Sequence, residues 1–179
     1  MNKINHHIFS ISTGILFFDR INILNISLLV LFTILVNIFL DYFHGSIEKA
    51  EKQNKPWYHR RTWIEEPLGF VFIAIPTALL FSFINKIFLI LILVPYGTHI
   101  LLDYLCIFET CPLAPLSYKI KKREGLGIFI PDDLFRKSEN SRRWEKRVRD
   151  KGIKGISENF FTIFNFILLI ISFVKHLRI

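Results

Sequence analysis

Long apolar runs alternate with short polar breaks along the chain, a pattern typical of helices that cross a membrane. A helix that spans the hydrocarbon core of a bilayer needs roughly 20 predominantly apolar residues. Four runs approach that length, and a fifth, near the start, is shorter and carries Ser10, Ser12, Thr13 and Gly14. In chain order the runs are residues 8–18, 26–43, 68–84, 87–107 and 160–174. The pattern predicts an all-α, polytopic membrane bundle of four or five hydrophobic helices.

The breaks between the runs predict how the helices are connected. Only two residues separate the third run from the fourth, which should form a helical hairpin. Pro76 and Pro95 fall inside these runs, where membrane helices tolerate proline if neighbouring groups satisfy the freed carbonyls. Residues 8–18 should form a short or tilted helix that packs against the second run through its small residues. The alternative is an amphipathic helix that lies on the membrane surface.

The distribution of charge predicts the orientation in the membrane. The chain of 179 residues is 51% hydrophobic and carries a net charge of +8. Both long polar loops, residues 44–66 and 108–157, hold more lysine and arginine than acidic residues. The positive-inside rule places both loops in the cytoplasm, with an even number of helices between them. We therefore predict a multi-pass protein of the cell (inner) membrane with its main loops cytoplasmic.

Three regions follow from this orientation. Residues 1–120 form a membrane domain, 121–157 a basic cytoplasmic loop, and 158–179 a C-terminal hydrophobic helix. Thirteen of the 23 lysines and arginines lie between Lys119 and Lys154, so this loop is expected to bind anionic lipid or a protein partner at the membrane surface. Trp144 alone interleaves an aromatic indole with these charges, so no specific nucleic acid is predicted.

Ionisable residues gather at one end of the predicted helices. Such residues are costly at membrane depth and mark candidate functional sites. Asp41 and His44 are spaced i, i+3 and His99 and Asp103 are spaced i, i+4, so each pair shares one helix face. Most of these residues lie roughly 14–18 residues from the extracellular turns, about 21–27 Å of helix rise, which places them in one cytoplasmic layer. The layer comprises His6 or His7, Asp41, His44, Glu65, His99 and Asp103.

Imidazole and carboxylate groups in one layer favour a metal site. Both are ligands of zinc, manganese and iron, and a bound ion generates hydroxide at neutral pH. Each residue also has a plainer interpretation. His99 and Asp103 can form a structural hydrogen bond, Asp41 can sit at the interface, and acidic residues before the third run can favour the start of a helix. A solvated histidine in a loop is the alternative at His44 and His59.

The order of these motifs resembles a known family. The chain reads Asn5-His6-His7, Asp41-x-x-His44, Pro67-Leu68-Gly69 and Thr98-His99-x-x-x-Asp103. Over about residues 3–120 this order resembles the YdjM-like membrane-bound metal-dependent hydrolases and their archaeal relatives of unknown function. That family is similar to zinc-dependent phospholipases C, which also use a His-x-x-x-Asp helix. Relatives have Thr-His at the N-terminal position, which favours His6 over His7.

The resemblance implies a site and an activity. The implied metal ligands are His6, Asp41, His44, His99 and Asp103, with zinc as the expected ion and manganese or iron as alternatives. Relatives place Thr-His-Ser where this chain has Ile64-Glu65-Glu66, so Glu65 is expected as a ligand or general base. The implied function is hydrolysis of phosphodiester or phospholipid substrates at the cytoplasmic interface.

Two other functions are weighed against hydrolysis. A non-enzymatic membrane protein would use its basic loop to bind anionic lipid or a partner. A metal or proton transporter would need ionisable residues along a full crossing, and residues 68–84 contain none. The transporter is therefore disfavoured.

Overall fold

A computed structural model of the chain describes residues 3–52, 63–105, 109–110, 123–124, 129–130 and 156–177, which are mainly helical. The helices are α1 (Lys3–Leu16), α2 (Ile23–Lys52), α3 (Pro67–Ser82), α4 (Ile87–Leu105) and α5 (Glu158–Leu177). A 3-10 turn, Trp63–Glu65, precedes α3. The strand pairs are β1 (Glu109–Thr110) with β2 (Arg123–Glu124), antiparallel, and β3 (Phe129–Ile130) with β4 (Ile156–Ser157), parallel. The predicted helical architecture is confirmed for the described residues.

Three of the described helices are long and apolar enough to cross a membrane. The candidate spans are Ile23–Tyr42, Ile87–Leu105 and Asn159–His176, and α3 is apolar but shorter. Large apolar side chains such as Leu35, Phe72 and Ile167 are exposed on the surface of the bundle. An apolar surface of this extent is unfavourable in water and suits lipid. A multi-pass membrane protein is therefore supported, with three long spans where the sequence pattern predicted four.

α1 packs among three helices instead of lying on the membrane surface. Gly14 packs against α2 as predicted, since an added Cβ would come within 2.6 Å of the side chain of Leu29. The hydroxyl of Ser10 contacts that of Thr98 in α4, and Ser172 of α5 donates a hydrogen bond to the carbonyl of Ser12 at 3.1 Å. The small residues of α1 thus serve three different neighbours, which allows all three helices to approach closely.

α5 runs parallel to α1 and contacts it along the whole length of α1. In the first turn of α1, Asn5 Oδ1 accepts a hydrogen bond at 3.2 Å from Nδ2 of Asn165, the eighth residue of α5. At the other end, Lys175 Nζ and His176 Nε2 lie 3.4 and 3.1 Å from carbonyl oxygens in the last turn of α1. The C-terminal helix therefore packs directly on the helix that carries His6.

α3 accommodates a proline by changing its helical hydrogen-bond pattern. A π-helical segment, Phe70–Ala74, precedes the α-helical segment Ile75–Ser82, and the Ile75 N–H bonds to the carbonyl of Phe70. Pro76 has no N–H and its ring crowds the carbonyl four residues earlier. A π segment is a usual way for a helix to absorb such a disruption. The predicted tolerance of Pro76 is thus achieved by local widening of the helix.

Candidate metal centre

His99 and Asp103 lie on the face of α4 that contacts α1. Their His99 Nε2 to Asp103 Oδ2 distance is 3.8 Å. His6 reaches the same carboxylate from the first turn of α1, with its Nε2 3.3 Å from Asp103 Oδ1. The two imidazole rings stack with centroids 4.2 Å apart, and all three side chains are buried. These three residues form one desolvated cluster, the His–His–Asp cluster.

The His–His–Asp cluster has the composition and spacing of a metal site. One donor atom from each side chain lies within 4.8 Å of the others. Two ligands about 2.1 Å from a tetrahedral zinc ion are about 3.4 Å apart. The measured 3.3 and 3.8 Å between imidazole nitrogens and the carboxylate are close to that separation. Manganese and iron accept the same donors, so the cluster can hold a divalent ion of any of these kinds.

Burial makes positive charge favourable in the cluster. The Asp103 carboxylate is almost fully removed from water, and a buried carboxylate is costly unless a cation or hydrogen bonds compensate it. His6 Nδ1 is also buried, and the described residues provide it with no hydrogen-bond partner. A cation held here would offset the desolvation of Asp103.

Asn37 of α2 supports the cluster through a second layer of hydrogen bonds. Its Oδ1 lies 2.8 Å from His99 Nδ1, and its Nδ2 lies 3.0 Å from His7 Nδ1. Metal-binding histidines commonly donate their second ring nitrogen to such a partner, which fixes the orientation of the ring. Asn37 is buried, so this support forms in the interior of the bundle.

A pair of hydroxyls joins α1 to α4 beside the cluster. Ser10 Oγ and Thr98 Oγ1 are 2.6 Å apart and buried. Thr98 donates its single proton to the Val94 carbonyl at 2.7 Å, so Ser10 is the donor between the two hydroxyls. Ser10 follows His6 by one turn and Thr98 adjoins His99. This contact therefore fixes the position of α1 along the axis of α4 at the level of the cluster.

Two tyrosines of α4 hold the turn that contains Glu65. Tyr96 donates to the carbonyl oxygen of Ile64, and Tyr104 donates to Glu66 Oε2 at 2.6 Å. These tyrosines flank the His–His–Asp cluster along α4, so the turn lies at the same end of the bundle. Glu65 is buried there, but it is not one of the three residues whose donor atoms converge.

The other predicted ligands have different placements. Asp41 is half-buried on α2 and acts on His6 electrostatically, yet it lies outside the convergent group. The side chain of His44 and the whole of His59 lie outside the part of the chain that the structure describes. His7 contacts the amide of Asn37 on α2. Of the predicted set, the described residues bring together His6 and the α4 pair.

Sequence reasoning did not identify Asn37, Tyr96 or Tyr104. A signal for Asn37 was present, because it is the one amide inside the apolar run 26–43. A buried amide within a membrane helix needs a partner on another helix. The tyrosines carried no comparable signal, since tyrosine is common near membrane interfaces.

Comparison of the chain with protein families, curated proteins and solved structures finds no match. The functional interpretation of the site therefore rests on its residues, their geometry and the order of motifs in the sequence.

Proposed function

We propose that the protein is a membrane-embedded, metal-dependent hydrolase that acts at the cytoplasmic interface on phosphodiester substrates, including phospholipids. The observation that carries the proposal is the convergence of two imidazoles on one buried carboxylate, with donor atoms within 4.8 Å. Three protein ligands are the number typical of catalytic zinc sites, which keep a further position for water or substrate. The likeness to the YdjM-like hydrolases points to the same chemistry.

Each residue of the site has a distinct role in this proposal. His6, His99 and Asp103 hold the ion, and Asp41 and His44 remain candidates for a second one. A bound ion would supply a hydroxide nucleophile at neutral pH and polarise a phosphoryl oxygen. Glu65 is the candidate general base, because a buried carboxyl at the same end of the bundle as the cluster can hold a proton between steps.

The position of the cluster suits a substrate at the membrane surface. His6 lies in the first turn of α1 and Asp103 in the last turn of α4, ends that the charge pattern assigns to the cytoplasm. Basic residues between Lys119 and Lys154 would attract an anionic headgroup to that side. These features favour lipid phosphodiesters over substrates in the external medium.

Metal content of the purified protein tests the proposal. We expect about one equivalent of zinc, manganese or iron in the parent, and its loss in His99→Ala, because a site with one imidazole fewer binds weakly. His176→Ala is the matched control, since His176 lies at the opposite end of the bundle beside Ile15 and should leave the metal in place. Hydrolysis of bis(4-nitrophenyl) phosphate and of labelled phospholipid vesicles should fall with the metal.

The distance between His6 and Asp103 also fits a second candidate function, that of a non-enzymatic membrane protein. The 3.3 Å between His6 Nε2 and Asp103 Oδ1 is also within the range of a weak charge-assisted hydrogen bond. A structural pair of this kind would suit a non-enzymatic protein that uses its basic loop to bind anionic lipid or a partner. A parent that holds no metal even after reconstitution with zinc, manganese and iron would decide for this function.

A further inference from the structure

We infer that Asn37 is a positioning residue that fixes opposite tautomers on two histidines, which makes His99 a metal ligand and keeps His7 out of the metal site. The ligand role of His99 rests on the proposed function, whereas the tautomers follow from the contacts alone. Asn37 thus adds a contribution from α2 to the His–His–Asp cluster, whose three residues lie on α1 and α4.

The hydrogen bonds of one amide group dictate both tautomers. An amide oxygen only accepts, so the 2.8 Å contact from Asn37 Oδ1 requires a proton on His99 Nδ1. An amide nitrogen only donates, so the 3.0 Å contact from Asn37 Nδ2 requires a bare Nδ1 on His7. In the neutral rings His99 then offers the lone pair of Nε2, and His7 carries its proton on Nε2.

The opposite orientation of the Asn37 amide would leave His99 without a lone pair for a metal on the nitrogen that faces Asp103. Turning the Asn37 amide over would place the proton of His99 on Nε2, which faces Asp103 Oδ2. That separation is 3.8 Å, beyond the range of a hydrogen bond. With the amide as observed, an imidazole lone pair and a carboxylate oxygen face each other at the same distance. Two acceptors at 3.8 Å are unfavourable to each other and favourable to a cation between them.

The location of Asn37 makes the tautomers resistant to exchange. Its side chain is 3% exposed within a candidate membrane span, so water does not compete for the amide. Either histidine could reverse its tautomer only by breaking a buried hydrogen bond, which leaves polar atoms unsatisfied. The choice between His6 and His7 is thus enforced by α2, because His7 is already bound to Asn37 while the His6 ring stacks on His99.

Two substitutions of Asn37 distinguish its role in positioning His99 from a contribution to the stability of the protein. Asn37→Asp keeps an acceptor for His99 Nδ1 and loses the donor to His7, whereas Asn37→Leu loses both. Asn165→Leu is the control, because it removes another buried interhelical amide bond without touching His99. Each full-length variant is purified in detergent and titrated with Co²⁺ by visible absorption, and its histidine tautomers are read from ¹⁵N chemical shifts in the metal-free state.

We expect metal-free parent spectra with the proton on Nδ1 of His99 and on Nε2 of His7. We expect Co²⁺ affinity to fall about 10- to 100-fold in Asn37→Leu, the usual effect of losing such a support. Affinity should return to within a few-fold of the parent in Asn37→Asp and stay unchanged in Asn165→Leu.

Each alternative result has a separate meaning. Equal affinity in the parent and Asn37→Leu would overturn the positioning role while leaving the hydrolase proposal intact. A proton on Nε2 of His99 in the parent spectra would overturn the tautomer assignment, even if the variants fail to fold. A parent without Co²⁺ binding but with the expected tautomers would refute the metal site and retain the role of Asn37 in fixing the two rings.

Discussion

At the scale of single residues, the site depends on the rotation of α1 about its axis, because His6 must face the α4 pair. His99 and Asp103 could be paired in advance because residues four apart share a helix face. The sequence predicted that His6 lies in the same cytoplasmic layer as this pair, but not that it contacts the pair. The stacking of two imidazoles over one carboxylate depends on how α1 rotates about its axis. No local pattern determines that rotation, since it follows from contacts with three other helices.

Gly69 gives a prediction at this scale. A Cβ there would lie 2.6 Å from the carbonyl carbon of Ile64 and even closer to its oxygen. Backbone atoms cannot step aside as side chains do, so Gly69→Ala should destabilise the protein by about 2–3 kcal/mol, the upper range for overpacking. Thermal unfolding in detergent measures the effect, and phosphodiester hydrolysis should drop because the turn that bears the candidate general base Glu65 shifts.

Gly97→Ala is the control for this substitution. Its added Cβ would meet the ring of Phe70 at 3.3 Å, and an aromatic ring can shift by a few tenths of an ångström. The expected cost of about 1 kcal/mol, the lower end for overpacking, is offset by the similar gain in helix propensity from glycine to alanine. Equal loss of stability in both variants would show that the turn is not held against Gly69 as described.

At the scale of helices, the sequence predicted where each helix lies along the chain but not which helices pack against each other. Apolar runs located all five described helices, and the run 87–107 matches α4 almost to the residue. The polar residues that join helices were harder to interpret. Asn165 and Ser172 are single polar positions in a long apolar run, and their partners lie far away in sequence on α1. A run of this kind indicates burial in lipid but not the neighbouring helix.

Disulfide crosslinking tests the parallel pairing of α1 and α5. We expect Ser12→Cys with Ser172→Cys, in a chain whose native cysteines are replaced by serine, to crosslink on mild oxidation. The Ser172 hydroxyl donates to the backbone carbonyl of Ser12 at 3.1 Å, so the two helices approach closely at these positions, as a disulfide requires. Ser12→Cys with Asn165→Cys should not crosslink, because position 165 lies about 10 Å lower along α5. Efficient crosslinking of the second pair alone would contradict the described register.

At the scale of the whole molecule, the structure and the charge pattern agree on two ends. The turn after α1 and the turn between α3 and α4 lie at one end, since Ile21 and Ile87 belong to the same apolar cluster. The His–His–Asp cluster lies at the other, near the starts of α1 and α5. The basic residues that predict a cytoplasmic side flank the end with the cluster.

Labelling in intact cells tests this orientation. With native cysteines replaced, Asp19→Cys and Asn85→Cys, both at exposed turn positions, should react with a membrane-impermeant maleimide. Lys52→Cys, at the end of α2, should react only after the membrane is permeabilised. The reverse result would place the cluster at the outer face and remove the argument for substrates of the inner leaflet.

The contacts of α1 also have a consequence for biogenesis. Helices enter a membrane in the order of their synthesis, yet His6 meets its partners only after α2, α3 and α4 have been inserted. The neighbouring Asn5 receives its hydrogen bond from Asn165 only after α5 has been inserted. Until α4 is in place, His6 lacks the two side chains that complete the cluster. Metal loading of this site would therefore be a late event that follows the insertion of α4, and an intermediate held before α4 would expose its histidines to quality control.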